Sequence, residues 1–184
     1  ETLCTAKDTS VKTIKPAAQE EDGGIFRLAG SSDGKFLATG HGNGNIKLWS
    51  VEQGKELATL KGHDGSVWEL VFSSDGKLLV SASGDKTVGV WKLELDPAAG
   101  TAKGAISKVL IGHTQSVRCV AISQDGTRIA SGGSDPKIRL WSPDKEEAIT
   151  VIDKPGFEPT HLAFSQDGKQ LIATGSYVSL KIFD

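Results

Sequence analysis

The chain has 184 residues, with 21 basic against 23 acidic side chains and a formal net charge of −2, so no general field draws it to nucleic acid or to an anionic membrane, and neither is expected as a partner. Its two cysteines, Cys4 and Cys119, are too few and too far apart for a disulfide framework or a four-cysteine zinc site; they fit a reducing compartment, and the expected location is the cytoplasm. No apolar run approaches the ~20 residues that span a bilayer, residues 1–10 lack the apolar core of a signal peptide, and the absence of methionine leads us to expect a piece of a longer product.

In chain order, the first feature is a short alternating stretch, Ser10-Val11-Lys12-Thr13-Ile14-Lys15, which matches Glu56-Leu57-Ala58-Thr59-Leu60-Lys61 in register. Next comes Asp33-Gly34, the first of four Asp-Gly pairs; the others are Asp75-Gly76, Asp125-Gly126 and Asp167-Gly168, at separations of 42, 50 and 42 residues. Each follows Ser-Ser or Ser-Gln and reads as a hairpin turn, because Gly accepts positive φ. Trp49, Trp91, Trp141 and Phe183 keep the same separations. Two independent markers with one spacing mean four repeats, and a period near ~40 to 45 residues with a terminal Trp points to four-stranded propeller blades.

Within each repeat, one strand is expected before the Asp-Gly turn, as at Val67 to Phe72 and Val117 to Ile122, and a second after it, as at Leu78 to Ser81 and Arg128 to Ser131. A turn rich in Gly, Asn, Asp and Ser then leads to a third strand over 46–49, 88–91, 138–141 and 180–183, and a fourth is expected over 56–60, 106–110 and 148–152. No segment has helical periodicity long enough to compete. The fold class is therefore all-β, with antiparallel four-stranded blades over residues 16–61, 62–110, 111–152 and 153–184, the last without its outer strand. The second repeat carries an insertion over 94–104, expected to be a surface loop whose only role would be a second contact.

These residues resemble the WD-repeat β-propeller family over nearly the whole chain. The resemblance implies a hydrogen-bonded network inside each blade, formed by His63, Ser81, Asp85 and Trp91 in one repeat and by His113, Ser131, Asp135 and Trp141 in the next. A buried imidazole, hydroxyl, carboxylate and indole N–H are costly apart and satisfy one another together. The outer repeats depart from this pattern. In the first, Glu21 and Asn43 stand where the His and Asp would be, beside Thr39 and Trp49; in the last, Pro155, Ala173 and Tyr177 occupy the polar places and Phe183 replaces Trp. Those blades are expected to rely on apolar packing and to have looser turns.

The resemblance also implies that the N-terminal strand within residues 1–15 completes the last blade, its own or that of another chain. Propellers of this type usually close with about seven blades, so four make roughly half a ring. Either two copies assemble into an eight-bladed ring by exchanging N-terminal strands, or a missing segment supplies the rest, or the four close alone; the first two are preferred.

Most remaining features read as structural. His41 and His161 sit at unlike repeat positions, so no metal site and no cofactor are expected. Gly40-His41-Gly42-Asn43-Gly44 lacks the helix and Lys-Ser/Thr of a phosphate loop, and the Ser, His and Asp of the repeats lack a strained serine elbow, so no enzyme is expected. Trp68 differs: it is an indole beyond the repeat markers, and the resemblance places it at the rim of the central opening with Phe26, Arg118 and Thr160 at equivalent sites. Such groups are enriched in interface hot spots; the alternative is that Trp68 packs between blades. The expected function is protein or peptide binding by a scaffold without chemistry of its own. The alternatives are a regulatory or targeting domain of a larger enzyme whose catalytic part lies outside the chain, and a module for self-assembly.

Overall fold

The computed structural model describes residues 22–153, 155–176 and 179–184. Among those residues, fifteen strands fall into four consecutive antiparallel sheets. Blade 1 holds β1 (Ile25–Gly30), β2 (Phe36–His41), β3 (Ile46–Ser50) and β4 (Lys55–Leu60), and blade 2 holds β5 (Val67–Phe72), β6 (Leu78–Ser83), β7 (Thr87–Asp96) and β8 (Thr101–Ile111). Blade 3 holds β9 (Val117–Ile122), β10 (Ile129–Gly133), β11 (Lys137–Trp141) and β12 (Thr150–Asp153). Blade 4 holds β13 (Pro159–Phe164), β14 (Leu171–Gly175) and β15 (Ser179–Phe183), three strands among the described residues. The N-terminal stretch expected to supply a fourth strand lies outside those residues.

The Asp-Gly turns are one construction used four times. The Ser31 hydroxyl donates to Asp33 at 2.6 Å, the same carboxylate accepts the Lys35 N–H, and Gly34 takes φ 70°. Ser73–Asp75–Gly76, Ser123–Asp125–Gly126 and Ser165–Asp167–Gly168 repeat it with φ of 69°, 70° and 68°. Side-chain oxygens thus occupy the turn's backbone donors while Gly supplies the left-handed residue that lets two strands fold back.

The core lies in the seams between blades. Ile46, Leu48 and Leu60 of blade 1 pack with Val67, Leu70 and Trp91 of blade 2; Val88, Val90 and Leu110 pack with Val117, Val120 and Trp141; Ile138 packs with Phe157, Leu171 and Ala173. Two rows of serine hydroxyls hold the wedge between neighbours. At the Asp-Gly end, Ser32 donates to the Ser74 carbonyl at 2.7 Å and Ser74 to the Gln124 carbonyl at 2.6 Å. At the opposite end, Ser66 donates to the Gly42 carbonyl and Ser116 to that of Gly84. Each bond satisfies a turn carbonyl of the adjacent blade, so the turns are tied into an arc rather than left to water.

The insertion is not a loose loop. It lengthens β7 and β8 into a hairpin paired from Thr87 opposite Ile111 out to Asp96 opposite Thr101. Asp96 accepts the N–H groups of Ala98 and Ala99, and Gly100 closes the turn at φ 61°. Leu93 and Ala102 are buried on its inner side. The alternation of Leu93, Leu95 and Ala102 provides an apolar face that rewards continued pairing, which is why the strands run past the expected ends.

The two end blades differ from the inner ones at equivalent positions. Val67 and Leu70, like Val117 and Val120, are buried against the preceding blade, whereas Ile25 and Leu28 on β1 are 52% and 57% exposed. At the other end Leu180 and Ile182 on β15 are 64% and 55% exposed, where Ile46 and Leu48 of blade 1 are fully buried.

Gly44 takes φ 87°, and a Cβ there would lie 2.3 Å from the His63 carbonyl of the next blade, while at Gly34 nothing lies within 4 Å. Gly44→Ala should therefore cost about 2–4 kcal/mol from backbone strain plus overpacking, and Gly34→Ala about 1–2 kcal/mol from strain alone. Urea denaturation of both variants measures the difference; equal losses would refute the seam contact as the cause.

Candidate interaction surface

The blade networks fix the loops that carry the surface. In blade 2 the Trp91 indole donates to Ser81 Oγ at 2.8 Å, Ser81 Oγ lies 2.7 Å from His63 Nε2, and His63 Nδ1 lies 2.7 Å from Asp85. An ionised carboxylate accepts only, so Nδ1 carries the proton, Nε2 accepts from the serine, and the chain runs indole to hydroxyl to imidazole to carboxylate. Asp85 also accepts the Asp64 N–H and both the N–H and hydroxyl of Thr87. Blade 3 repeats the set at His113, Ser131, Asp135 and Trp141, with distances of 2.8, 2.7 and 2.6 Å. There Arg139 adds a buried ion pair to Asp135 at 3.0 Å. The structure thus brings together all eight residues assigned to these networks.

Burial pushes the Asp85 and Asp135 carboxyls up, but the contacts around them together more than reverse it, from His63 and Thr87 at Asp85 and from His113, the Thr114 N–H and Arg139 at Asp135, so that Asp85 sits well below the usual carboxylate range and Asp135 below it. Burial holds the His113 imidazole below its ordinary value, with Asp135 pulling the other way.

Blade 1 corrects the expectation of apolar packing. Glu21 lies outside the described residues, yet an imidazole still reaches the indole's acceptor: His41 Nε2 lies 2.9 Å from Thr39 Oγ1, which accepts the Trp49 indole N–H at 2.8 Å. His41 stands two residues beyond Thr39 on the same strand, so the pleat puts both on one face. That alternation is the sequence signal that was missed. A second set forms where blade 2 has Gly89: the Lys47 ammonium, 5% exposed as a residue, lies 2.6 Å from Asp22 and 3.3 Å from Glu56. Asp22 also accepts from Asn43 and Asn45, pinning a turn expected to be loose. Blade 4 is the apolar one. Ala173 is fully buried, Phe157 packs beside it, and the Lys181 ammonium lies 6.0 Å from the Phe157 ring; Tyr177 is outside the described residues.

Four β-bulges aim the rim. Pairing skips between Ile25 and Arg27, between Val67 and Glu69, and between Pro159 and His161, and it shifts opposite Val117 and Cys119. The skipped residues are Phe26, Trp68, Thr160 and Arg118, and all four side chains are exposed. A bulge leaves one residue out of the ladder and turns its side chain away from the face that its neighbours bury.

Phe26 and Trp68 are brought together: their rings stack at 5.2 Å between centroids and 5° between planes, with 50% and 42% of each residue exposed. Trp68 therefore packs across a blade seam and remains accessible. Beneath the stack, Arg27 pairs with Glu69 across the same seam at 2.5 Å. Burial raises the Glu69 carboxyl above its usual range, and the Arg27 charge draws it back. Thr160 is turned to its own blade, donating to the Thr174 carbonyl at 3.3 Å and lying 3.2 Å from His161. Cys119, beside Arg118, is fully buried, with a thiol pushed up to about 12 by burial and donating to the Gly132 and Pro159 carbonyls.

Residues 54–92 and 104–142 each match the model of the WD domain, G-beta repeat, and residues 6–67 match that of the anaphase-promoting complex subunit 4 WD40 domain. The chain belongs to the WD-repeat family. An uncharacterized WD repeat-containing protein of Nostoc sp. is 46% identical over 41 residues, which is 22% of this chain and 3% of that relative's length. Each WD match begins in or beside the outer strand of one blade and ends in the third strand of the next. Sequence repeat and structural blade are thus offset by one strand, which couples neighbours covalently as well as by packing.

WD-repeat propellers generally mediate protein interactions and generally lack catalysis. In this chain the Ser81 and Ser131 hydroxyls that could imitate a nucleophile are fully buried and engaged on both sides. His41 belongs to a blade network, and among the described residues no group of three His, Cys, Asp or Glu side chains is arranged to hold a metal.

Removing Asp135 leaves the buried Arg139 guanidinium and the buried His113 Nδ1–H without their acceptor, so Asp135→Ala should cost about 3–5 kcal/mol. Asp85→Ala, at a wetter site without an arginine, should cost about 1–3 kcal/mol. Denaturant midpoints compare them, and equal losses would contradict the role given to Arg139.

His41 and His113 are both held below the ordinary imidazole value of 6.5, chiefly by burial. The unfolded chain then takes up protons that the folded chain refuses, so stability should be full above about pH 6.5 and fall as pH drops below it. Asp85 and Asp135, whose carboxyls are lowered from 3.8, add their losses only below about pH 4. Melting temperature followed from pH 8 to 4 should bend near 6.5, and His41→Gln should shallow that bend; a flat profile would contradict the neutral imidazoles.

Proposed function

We propose that this WD-repeat propeller is a non-catalytic scaffold that binds a protein or peptide partner at the rim carrying Phe26, Trp68 and Arg118, with Thr160 at its far end. The observation that carries this reading is the exposed Phe26–Trp68 stack. Two large aromatic rings are held rigid across a seam and turned to solvent by bulges, so a partner can bury them with little loss of side-chain entropy. The fold's seams do not require that exposure, since Val67 and Leu70 already fill them.

A second reading concerns the end blades. Ile25, Leu28, Leu180 and Ile182 stand exposed where equivalent residues are buried by a neighbouring blade or strand, which supports further WD-type blades covering both flanks. They would come from a second copy, with residues 10–15 completing the partner's last blade, or from a further segment of the same polypeptide.

Trp68→Ala should weaken binding by about 2 kcal/mol with an unchanged melting temperature, and Arg118→Glu should act in the same direction. Affinity capture with each variant, against a Glu94→Lys control at the opposite end of the blades, tests this. Partners retained by both rim variants and lost with the control would move the surface to the insertion hairpin. For the second reading, light scattering should give twice the 19.4 kDa chain mass, reverting on deletion of residues 1–15; a compact monomer would exclude self-assembly.

A further inference from the structure

Within the rim, the Glu69 carboxylate beneath the stack is taken up by Arg27, and the groups beside the exposed indole edge that have no charged partner are donors. A Cβ built on Gly84 would lie 3.2 Å from Trp68 Nε1, so the polar edge of the indole lies beside the β6–β7 turn. Two residues beyond Gly84 is Lys86, held at φ 74° with its side chain exposed. The Gly84 carbonyl accepts from Ser116 of blade 3, and two residues beyond Ser116 is the bulged Arg118. At about 3.3 Å per residue of strand, both long cationic side chains start within reach of the indole's polar edge. Among the described residues, no acceptor meets the Trp68 N–H and no carboxylate lies within ion-pair distance of Lys86 or Arg118, whereas Arg27 on the other side of the stack is paired with Glu69.

Resting on the rim as the binding surface, we propose that its partner is an acidic peptide segment. One Asp or Glu carboxylate is seated between Trp68 N–H, Arg118 and Lys86, and an adjacent apolar or aromatic residue lies on the Phe26–Trp68 stack. Three neighbouring donors without an acceptor, two of them cationic, call for an anion, and charge-assisted bonds from a guanidinium are the strongest such contacts. A basic peptide would meet Arg118 and Lys86 unpaired. A nucleic acid would meet the stack and the two cations, but its row of phosphates needs a basic track, whereas the chain has a net charge of −2 and the cations beside the indole serve one carboxylate.

The test is selection of a random peptide library on the full chain, with parallel selections on Trp68→Ala, Arg118→Glu and Lys86→Ala. Wild type should enrich Asp or Glu beside an aromatic or apolar residue. A selected peptide should lose about tenfold in affinity, measured by fluorescence anisotropy, when its acidic residue becomes Gln or when Arg118 becomes Glu, the loss expected for one charge-assisted contact. Lys86→Ala should weaken it less. Peptides that lose affinity with Trp68→Ala but show no acidic preference would overturn this proposal and leave the rim reading standing. Peptides indifferent to Trp68→Ala, or no enrichment at all, would overturn both. A single-stranded oligonucleotide that binds more tightly than the best peptide, and depends on Arg118 and Lys86, would overturn it in favour of nucleic acid.

Discussion

A buried indole N–H must find an acceptor, and each of the first three blades is arranged around that requirement. Trp49, Trp91 and Trp141 donate to a hydroxyl ten residues earlier at the same 2.8 Å. Burying the indole supplies apolar area to the seam, while leaving its N–H unpaired would cost a large part of that gain. The hydroxyl that accepts must then dispose of its own proton, which calls an imidazole into the blade, and in blades 2 and 3 the imidazole calls a carboxylate. Blade 4 shows the same dependence from the other side. Where Phe183 removes the indole, Ala173 removes the hydroxyl, and Phe157 fills the space.

The source of the imidazole is free to vary as long as the acceptor is served. Blades 2 and 3 take it from the loop before the inner strand, and that loop is thereby tied to the turn carrying Asp85 or Asp135. Blade 1 takes it from His41 on β2 itself, leaving the loop to be held by Asp22, Lys47 and Glu56. Among the described residues no partner meets the buried His41 Nδ1, a cost that the paired imidazoles of blades 2 and 3 avoid. The inner blades therefore have loops locked to buried networks, and the rim residues following those loops are held in one place. A rigid site loses less entropy when a partner arrives.

The rim depends on a different constraint. An inner strand must bury Val67 and Leu70 against the preceding blade, and strict alternation would place intervening residues toward the narrow centre. A bulge between Val67 and Glu69 breaks the alternation and releases Trp68 upward. The same device at equivalent places gives the rim its aromatic and cationic character from four strands that never pair with one another.

The sequence by itself determined what is local or periodic. The Ser-x-Asp-Gly turns form because a hydroxyl, a carboxylate and a glycine within four residues satisfy one hairpin, and the matched Asp-Gly and Trp spacings name the blade. The partners His63, Asp85, His113 and Asp135 were legible because their register repeats. Tertiary structure decided what depends on distances between strands far apart in the chain. His41 lies on the same pleated face as Thr39, a local signal, but only the seam that buries Trp49 with its N–H on that hydroxyl made an imidazole needed there. The insertion became a hairpin because Leu93 and Ala102 found a core to join, and Phe26 met Trp68 because two bulges face each other across a seam. Composition shows none of these, since each is set by the wedge between neighbouring blades, and that wedge is fixed by the side chains packed into the seam and the serine hydroxyls that bridge it.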